Sequence, residues 1–197
     1  MKISALADRK IDQDLKKLIK DESIELVLLL GDLKYIDICD LEEVKVPIIG
    51  ILGNHCSFDY ISKLKGYNLH NKKLSILGES FFGYQGCPYY KGGEFESSQE
   101  ECLEKIENLT GCFSILISHS PAKGINSTIE SPHEGFEGLT LFLEKFKPKF
   151  FFHGHSYPDK PQKISIYDKT IVYFVEGLEI IETQSLLNKT YPKSTMY

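Results

Sequence analysis

Short apolar runs that end at a glycine or a polar side chain are the feature that most constrains the fold of this 197-residue chain. Five of them have the length and composition of buried strands: Ile3–Ala7, Glu25–Leu30, Val46–Leu52, Ser114–Ser118 and Lys149–Phe152. Three segments carry apolar residues at helical spacing: Ile11–Ile19, Gln99–Leu109 and Phe136–Phe146. The alternation of the two kinds of segment predicts a layered α/β fold.

The remaining segments predict one hairpin, one long loop and a strand-rich C-terminal third. Gly78-Glu79 separates two strand-like runs and predicts a tight turn. Residues 84–98 are rich in glycine and tyrosine, which predicts a loop that either borders a substrate site or simply packs. Three further strands are predicted, followed by a frayed or loosely docked tail: Lys163–Tyr167, Ile171–Val175, Leu178–Thr183 and the tail over 184–197.

The composition is that of one globular domain spanning residues 1–197. Hydrophobic residues make up 42% of the chain and charged residues 26%, which excludes a disordered or fibrous protein. A net charge of −5 argues against binding to long nucleic acid or to an anionic membrane, and no apolar run is long enough to span a bilayer. The scattered cysteines favour neither a disulfide framework nor a thiolate zinc site, and the chain is predicted to be cytoplasmic.

Polar side chains follow five of the predicted strands at the points where these strands end: Asp8, Gly31-Asp32, Gly53-Asn54-His55, His119 and Gly154-His155. Ligands of an open α/β sheet collect at the carboxyl ends of its strands, so these side chains are expected to meet. Carboxylate, amide and imidazole donors suit Mn, Fe, Zn or Mg ions better than a thiolate centre does. Each motif alone has a simpler explanation, such as a turn or a helix cap, but their shared position favours a metal site.

The order of these motifs resembles the signature of the calcineurin-like metallophosphoesterases, in which D-x-H, G-D, G-N-H-[D/E], a single His and G-H-x-H each follow a strand. The resemblance extends over residues 1–160. It implies a four-layer α-β-β-α sandwich and the metal-dependent hydrolysis of a phosphomonoester or phosphodiester by activated water. The implied partner is a small phosphoester substrate, with no membrane and no long nucleic acid, and the sequence makes no prediction of the oligomeric state.

The resemblance also implies roles for single residues. Asp32 would bridge two divalent ions of Mn, Fe, Zn or Ni, and Asn54, His119 and His155 would complete the principal site. Asp8 would help to bind a second ion or position the nucleophile. His55, which with Asp32 is a predicted catalytic residue, would protonate the leaving group, because the pKa of histidine lies near neutrality.

Three positions depart from the family pattern. Lys10 stands where D-x-H has its histidine, and Tyr157 stands where G-H-x-H has its last one. An ammonium group cannot bind a cation and a neutral phenol is a poor ligand, so one strong metal site and a weak or absent second site are expected. Cys56, the third departure, replaces the acidic residue of G-N-H-[D/E]. Separately, His133 is expected in a solvated loop.

These departures leave three alternatives open. In the first, Arg9 and Lys10 act as phosphate clamps and supply the missing positive charge. In the second, other donors complete a weak second metal site: Asp12, His153 or Tyr157. In the third, catalysis is lost and the chain is a binding or scaffold protein. The presence of His55, whose role is chemical, favours retained hydrolysis.

Overall fold

The computed structural model describes residues 1–56, 58–129, 131–155 and 161–192. The strands found there are β1 Lys2–Ala7, β2 Leu26–Leu29, β3 Ile48–Gly50, β4 Tyr67–Asn68, β5 Lys73–Ile76, β6 Glu79–Tyr84, β7 Cys87–Pro88, β8 Glu96–Ser97, β9 Ile115–Ser118, β10 Phe150–His153, β11 Ile164–Tyr167, β12 Thr170–Phe174 and β13 Gly177–Glu182. The helices are α1 Leu15–Asp21, α2 Tyr35–Ile38, α3 Tyr60–Lys63, α4 Gln99–Glu107, α5 Glu137–Phe146 and α6 Thr183–Thr190, with a 3-10 turn over Cys39–Glu43. Within these described ranges, no helix has the length and apolar character that a membrane crossing requires.

Most strands belong to two sheets that share one core. The first sheet has the order β13-β1-β2-β3-β4 and is parallel except for the edge strand β13. The second has the order β11-β12-β10-β9-β6-β5 and is parallel except for its two edge strands. Strands β7 and β8 form a separate parallel pair. The parallel strands of each sheet bring several carboxyl ends to one edge.

Strand side chains alternate between two apolar layers, which explains why the strand sequences are apolar throughout. In β1, Ile3 and Ala5 face the core between the sheets, whereas Leu6 packs with the helices outside the first sheet. In β10, Phe152 faces the same core and Phe151 packs against the helices outside the second sheet. Helices α1 and α3 cover the first sheet and α4 and α5 the second, which confirms the predicted four-layer α-β-β-α sandwich.

Local sequence signals set the ends of the two helices on the second sheet. The Ser98 hydroxyl accepts the Glu101 N–H at 3.1 Å, and the Glu101 carboxylate accepts the Ser98 N–H at 2.8 Å, so α4 begins with a capping box. Helix α5 ends at Phe146, and the next residue, Lys147, has a left-handed backbone (φ 46°) and comes directly before Pro148. Both helices lie close to their predicted bounds.

The described part of the predicted tail, residues 184–192, differs from the prediction, and residues 193–197 lie outside the described residues. Residues Thr183–Thr190 form α6, Thr183 is buried, and Leu186 and Leu187 pack against the core between the sheets. Two adjacent leucines in a polar segment show no helical periodicity, so the sequence pattern did not indicate this helix. Its stability comes from tertiary packing, as is usual for a helix this short.

Candidate metal centre and active site

Four side chains meet at one edge of the two sheets. Asp8 follows β1, Asp32 comes after β2, His119 directly follows β9 and His155 comes after β10. One ligand atom from each of these residues lies within 4.8 Å of those of the other three. Because β1 and β2 belong to the first sheet and β9 and β10 to the second, the cluster joins the carboxyl ends of strands from both sheets.

Three of these four residues have a left-handed backbone. The φ angle is +63° at Asp8, +53° at Asp32 and +44° at His155. Such angles are uncommon outside glycine and persist where the surrounding structure holds them, often at functional sites. At all three positions the chain turns sharply as it leaves a strand, and the turn places the side chain in the cluster.

Glycines beside the cluster make room for its side chains. A Cβ atom at Gly53 would lie 2.2 Å from Asp32 Oδ1, and one at Gly154 would lie 2.6 Å from Asp8 Oδ2. Real Cβ atoms do not approach other atoms this closely. In the two motifs the glycine is therefore required because a carboxylate from another strand end packs against it.

The His119 ring is oriented by contacts at both of its nitrogen atoms. Its Nδ1 donates to the Leu30 carbonyl at 2.8 Å, so in the neutral ring Nε2 carries the lone pair. This Nε2 lies 3.2 Å from Asp32 Oδ2 and 3.1 Å from Asn54 Oδ1. Against the effect of burial, the Asp32 charge raises the pKa of His119, so in the metal-free protein a proton on Nε2 lies between these atoms. When that proton is released, a carboxylate oxygen, an amide oxygen and an imidazole nitrogen converge as ligands for a cation.

Asp8 gives an independent sign of a missing positive charge. Its Oδ2 accepts the His155 N–H at 2.9 Å, but its Oδ1 is buried and accepts no hydrogen bond from the described residues. A buried carboxylate oxygen without a donor is costly, and a bound cation would compensate it. The oxygen and imidazole donors present here therefore fit a divalent metal ion.

Burial and neighbouring charges give the two carboxyl groups different pKa values. Burial raises the pKa of Asp8 to about 6, against the opposing effect of the His119 charge. Burial also acts to raise the pKa of Asp32, but the His119 charge and hydrogen bonds from His119 and the His55 N–H lower it to about 2. Burial, aided by the His119 charge, lowers the pKa of His155 to about 2, so this imidazole is neutral and can act as a ligand.

The segment after β3 places further polar groups beside Asp32. His55 is exposed, and its backbone N–H donates to Asp32 Oδ1 at 2.8 Å. The Cys56 Sγ accepts the Gly53 N–H at 3.2 Å, and burial raises the pKa of this thiol. The His55 ring is thus accessible to a ligand at the cluster, whereas Cys56 stays protonated and supports the turn.

The two predicted phosphate clamps are paired with carboxylates. Arg9 Nε donates to Glu176 at 2.8 Å, and the Lys10 ammonium forms an ion pair with Asp12. These pairs are exposed, so each contributes little free energy and can exchange. Asp12 lies outside the four-residue cluster, and the clamp roles of Arg9 and Lys10 stay a prediction.

His153 and Tyr157 are the other residues considered for the second metal position. The His153 ring is buried and contacts Phe151 and Phe174, and its Nδ1 donates to a backbone carbonyl at 2.9 Å. Strand alternation alone would place His153 and His155 on one face, but the left-handed backbone at His155 separates them. Tyr157 lies outside the described residues.

Two residues reach the cluster from loops. His133, expected in a solvated loop, instead stacks on His155 with ring centroids 4.8 Å apart and ring planes at 25°. The Tyr90 hydroxyl lies 3.5 Å from Asn54 Nδ2. The position of a strand end does not predict which loop residue reaches the cluster, because a loop has no register. For Tyr90, the tyrosine- and glycine-rich composition of residues 84–98 was the only indication in the sequence.

The chain is similar to solved structures at low sequence identity. Its likeness to the protein TT1561 of Thermus thermophilus has a TM-score of 0.61 at 13% identity, over 92% of this chain and 98% of that chain. A hypothetical protein from the same organism gives a TM-score of 0.52 at 15% identity, over 98% of this chain and 85% of that chain. Identities this low show a shared fold alone.

Sequence comparison adds the family. No curated protein matches the chain significantly. A family model described as calcineurin-like phosphoesterase matches residues 7–159, a range that contains the four clustered side chains together with Asn54 and His55. Since this match covers most of the sequence and agrees with the fold, the chain belongs to the calcineurin-like phosphoesterase family.

Proposed function

We propose that the protein is a metal-dependent phosphoesterase that hydrolyses a small phosphomonoester or phosphodiester. Asp32, Asn54, His119 and His155 would hold one principal divalent cation of Mn, Fe, Zn or Ni, and Asp8 would support it or a weaker second cation. The observation that carries the proposal is the meeting of the Asp32 and Asn54 oxygens at His119 Nε2, at 3.2 and 3.1 Å. A proton on Nε2 fills this position in the metal-free protein, and a divalent cation would take its place.

When bound, a divalent cation supplies charge stabilisation for phosphoryl oxygens and a nucleophilic water at neutral pH. The protein's own groups orient the reaction. Asp32, with its pKa near 2, is ionised and accepts the His55 N–H, which holds the exposed His55 imidazole beside the cluster. From there His55 donates a proton to the leaving-group oxygen. Cys56 leaves His55 without the acidic neighbour of the family pattern, so leaving groups that need strong acid assistance would react slowly.

The alternative function is that of a catalytically inactive family member that binds a partner or ligand. Lys10 and Tyr157, at two positions where the family pattern has histidine, are the features that favour it. Both functions require the same fold, so only metal binding and turnover separate them.

Metal titration followed by an assay distinguishes the two functions. Chelator-treated protein is titrated with Mn²⁺ by calorimetry and then assayed on an aryl phosphomonoester and an aryl phosphodiester. We expect one strong Mn²⁺ site and turnover that chelator abolishes. Mn²⁺ binding without turnover of either ester would favour the inactive binder, and failure to bind Mn, Fe, Zn or Ni would contradict the proposed site.

Two substitutions assign the roles within the site. His55→Ala should lower kcat by about 10²- to 10⁴-fold and leave Mn²⁺ affinity nearly unchanged, because the imidazole acts only as a general acid. Asp32→Asn should lower both Mn²⁺ affinity and turnover. A His55→Ala protein that turns over at the wild-type rate would show that another group protonates the leaving group.

A further inference from the structure

The turn between β7 and β8, residues 89–95, is held by one carboxylate. Glu96 Oε2 accepts the backbone N–H groups of Tyr90, Lys91 and Gly92 at 3.0, 3.0 and 2.9 Å. Three successive N–H groups on one anionic oxygen form a strong, charge-assisted anchor. The turn therefore has a defined conformation although its flanking strands belong to neither of the two large sheets.

Neighbouring segments also hold the turn. The Ser131 hydroxyl donates to the Tyr89 carbonyl at 3.0 Å, which links the turn to the loop that carries His133. The Gly86 N–H donates to the Leu52 carbonyl at 2.8 Å, so the start of this segment is fixed to the chain just before Gly53-Asn54. The turn is thus attached to two segments that border the cluster.

The anchored turn delivers a phenol and an ammonium group to the edge of the cluster. The Tyr90 hydroxyl lies 3.5 Å from Asn54 Nδ2, on the amide whose oxygen lies 3.1 Å from His119 Nε2. The Lys91 Nζ lies 4.7 Å from the centroid of the Tyr90 ring. One aromatic ring therefore separates the Lys91 charge from Asn54.

Lys91 differs from the other cations near the site in its partners. Arg9 and Lys10 are paired with Glu176 and Asp12. Lys91 is exposed and forms no ion pair with a carboxylate in the part of the chain that the structure describes, although Tyr90 contacts its ammonium group. Its charge is available to an anionic ligand at the cluster.

We propose that Tyr90 and Lys91 form a substrate-binding arm, in which the Lys91 ammonium and the Tyr90 hydroxyl bind phosphoryl oxygens of a ligand at the metal cluster. This inference rests on the proposed phosphoesterase function and extends it to a substrate class. A phosphomonoester carries about two negative charges at neutral pH and a diester one, so the lysine charge favours the monoester. The arm therefore selects terminal phosphates over phosphodiesters.

The test measures phosphate binding by a lysine variant and a matched control. Lys72 is also exposed and lies over a tyrosine ring, with Nζ 5.4 Å from the centroid of Tyr67, but within the described residues this tyrosine forms no hydrogen bond or ring contact with Asn54 or with the four clustered residues. Inorganic phosphate is titrated into Mn²⁺-loaded wild type, Lys91→Gln and Lys72→Gln by calorimetry. We expect Lys91→Gln to bind phosphate about 10-fold more weakly, and Lys72→Gln to match the wild type.

A kinetic comparison gives the substrate class. Lys91→Gln should raise KM for an aryl phosphomonoester more than for the corresponding diester, with kcat little changed, because a binding contact is lost. Tyr90→Phe should weaken phosphate binding, whereas Tyr89→Phe, whose side chain is largely exposed, should not.

The outcomes separate the arm from the proposed function. If the wild type binds Mn²⁺ and turns over while Lys91→Gln binds phosphate as well as Lys72→Gln does, the arm is wrong and the phosphoesterase function stands. Mn²⁺-loaded wild type that binds no phosphate also overturns the arm. A wild type that binds no divalent cation overturns both.

Discussion

The chain leaves strands β1 and β3 at the same edge of the first sheet, but the polar groups that follow these two strands have different partners. At the Asn54 end, residues 53–56, the Asn54 amide contacts His119 and the His55 N–H binds Asp32. At the Asp8 end, residues 8–10, only the carboxylate joins the cluster, while its two cationic neighbours pair with other carboxylates. The polar groups at each strand end are thus held by their own partners, so a change of residue at the Asp8 end is not expected to alter the contacts at the Asn54 end.

The largest expected effect comes from breaking the Asn54 end with Gly53→Ala. The new Cβ would lie 2.2 Å from Asp32 Oδ1, so the carboxylate must move away from the cluster. We expect Mn²⁺ affinity, measured by calorimetry, to fall about 100-fold, as when a ligand loses its orientation.

Gly78→Ala is the matched control for this loss. Gly78 has a φ of +78° but open space around its Cβ position, so its substitution should lower stability without changing Mn²⁺ affinity. Equal Mn²⁺ affinities in the two alanine variants would show that the glycine contact does not position Asp32.

The next effect concerns the carboxylate of the Asp8 end in the metal-free protein. Burial raises the pKa of Asp8 from 3.8 to about 6, so between these values the folded protein binds more protons than the unfolded chain. The Asp8 contribution to stability is therefore present at pH 4 and is lost as the pH rises through 6. Asp8→Asn, which cannot ionise, should be more stable than the wild type at pH 7 by about 3 kcal/mol.

Urea unfolding in chelator at pH 4 and pH 7 measures this difference. Groups far from Asp8 titrate equally in both proteins and cancel in the comparison, whereas His119, whose pKa Asp32 and Asp8 raise against the effect of burial, titrates differently in the variant. A stability difference between wild type and Asp8→Asn that is the same at both pH values would contradict the raised pKa.

A smaller effect on Mn²⁺ binding is expected when the missing histidine is restored at the Asp8 end. Lys10→His restores the D-x-H pattern, and we expect a second, weaker Mn²⁺ binding step whose affinity exceeds that of any such step in the wild type by about 10-fold. Lys17→His, at an exposed position of α1, should show no such gain. Identical titrations of Lys10→His and Lys17→His would show that Lys10 is not what limits this end.

The smallest effect is expected for the Arg9–Glu176 pair. Both side chains are partly exposed, so Arg9→Gln should lower the free energy of unfolding by less than about 1 kcal/mol. The KM of Arg9→Gln for an aryl phosphomonoester, compared with that of the wild type, tests the predicted clamp role of Arg9. An increase would show that Arg9 leaves Glu176 to bind phosphate, and an unchanged KM would contradict the role.

Much of the fold followed from local pattern, and less of the site did. Phe150, Phe151 and Phe152 are all buried, so this strand is covered on both faces. Successive side chains of a strand point to opposite faces, and an unbroken apolar run in the sequence therefore predicts a strand buried on both sides. The sequence did not predict helix α6, because its two adjacent leucines show no helical periodicity and only their packing against the core stabilises the helix. Likewise, His133 and Tyr90 lie on loops, where sequence position does not indicate which side chain reaches the cluster.

From its amino-acid order alone, the chain could be assigned an α/β sandwich and a set of polar residues that end neighbouring strands, because burial and strand direction follow short-range rules. The packing of the two sheets decided the rest. It put the Asp8 carboxylate against Gly154, paired Arg9 with Glu176, and brought Tyr90 to Asn54. These contacts join residues far apart in the chain, so they exist only once the sheets have come together.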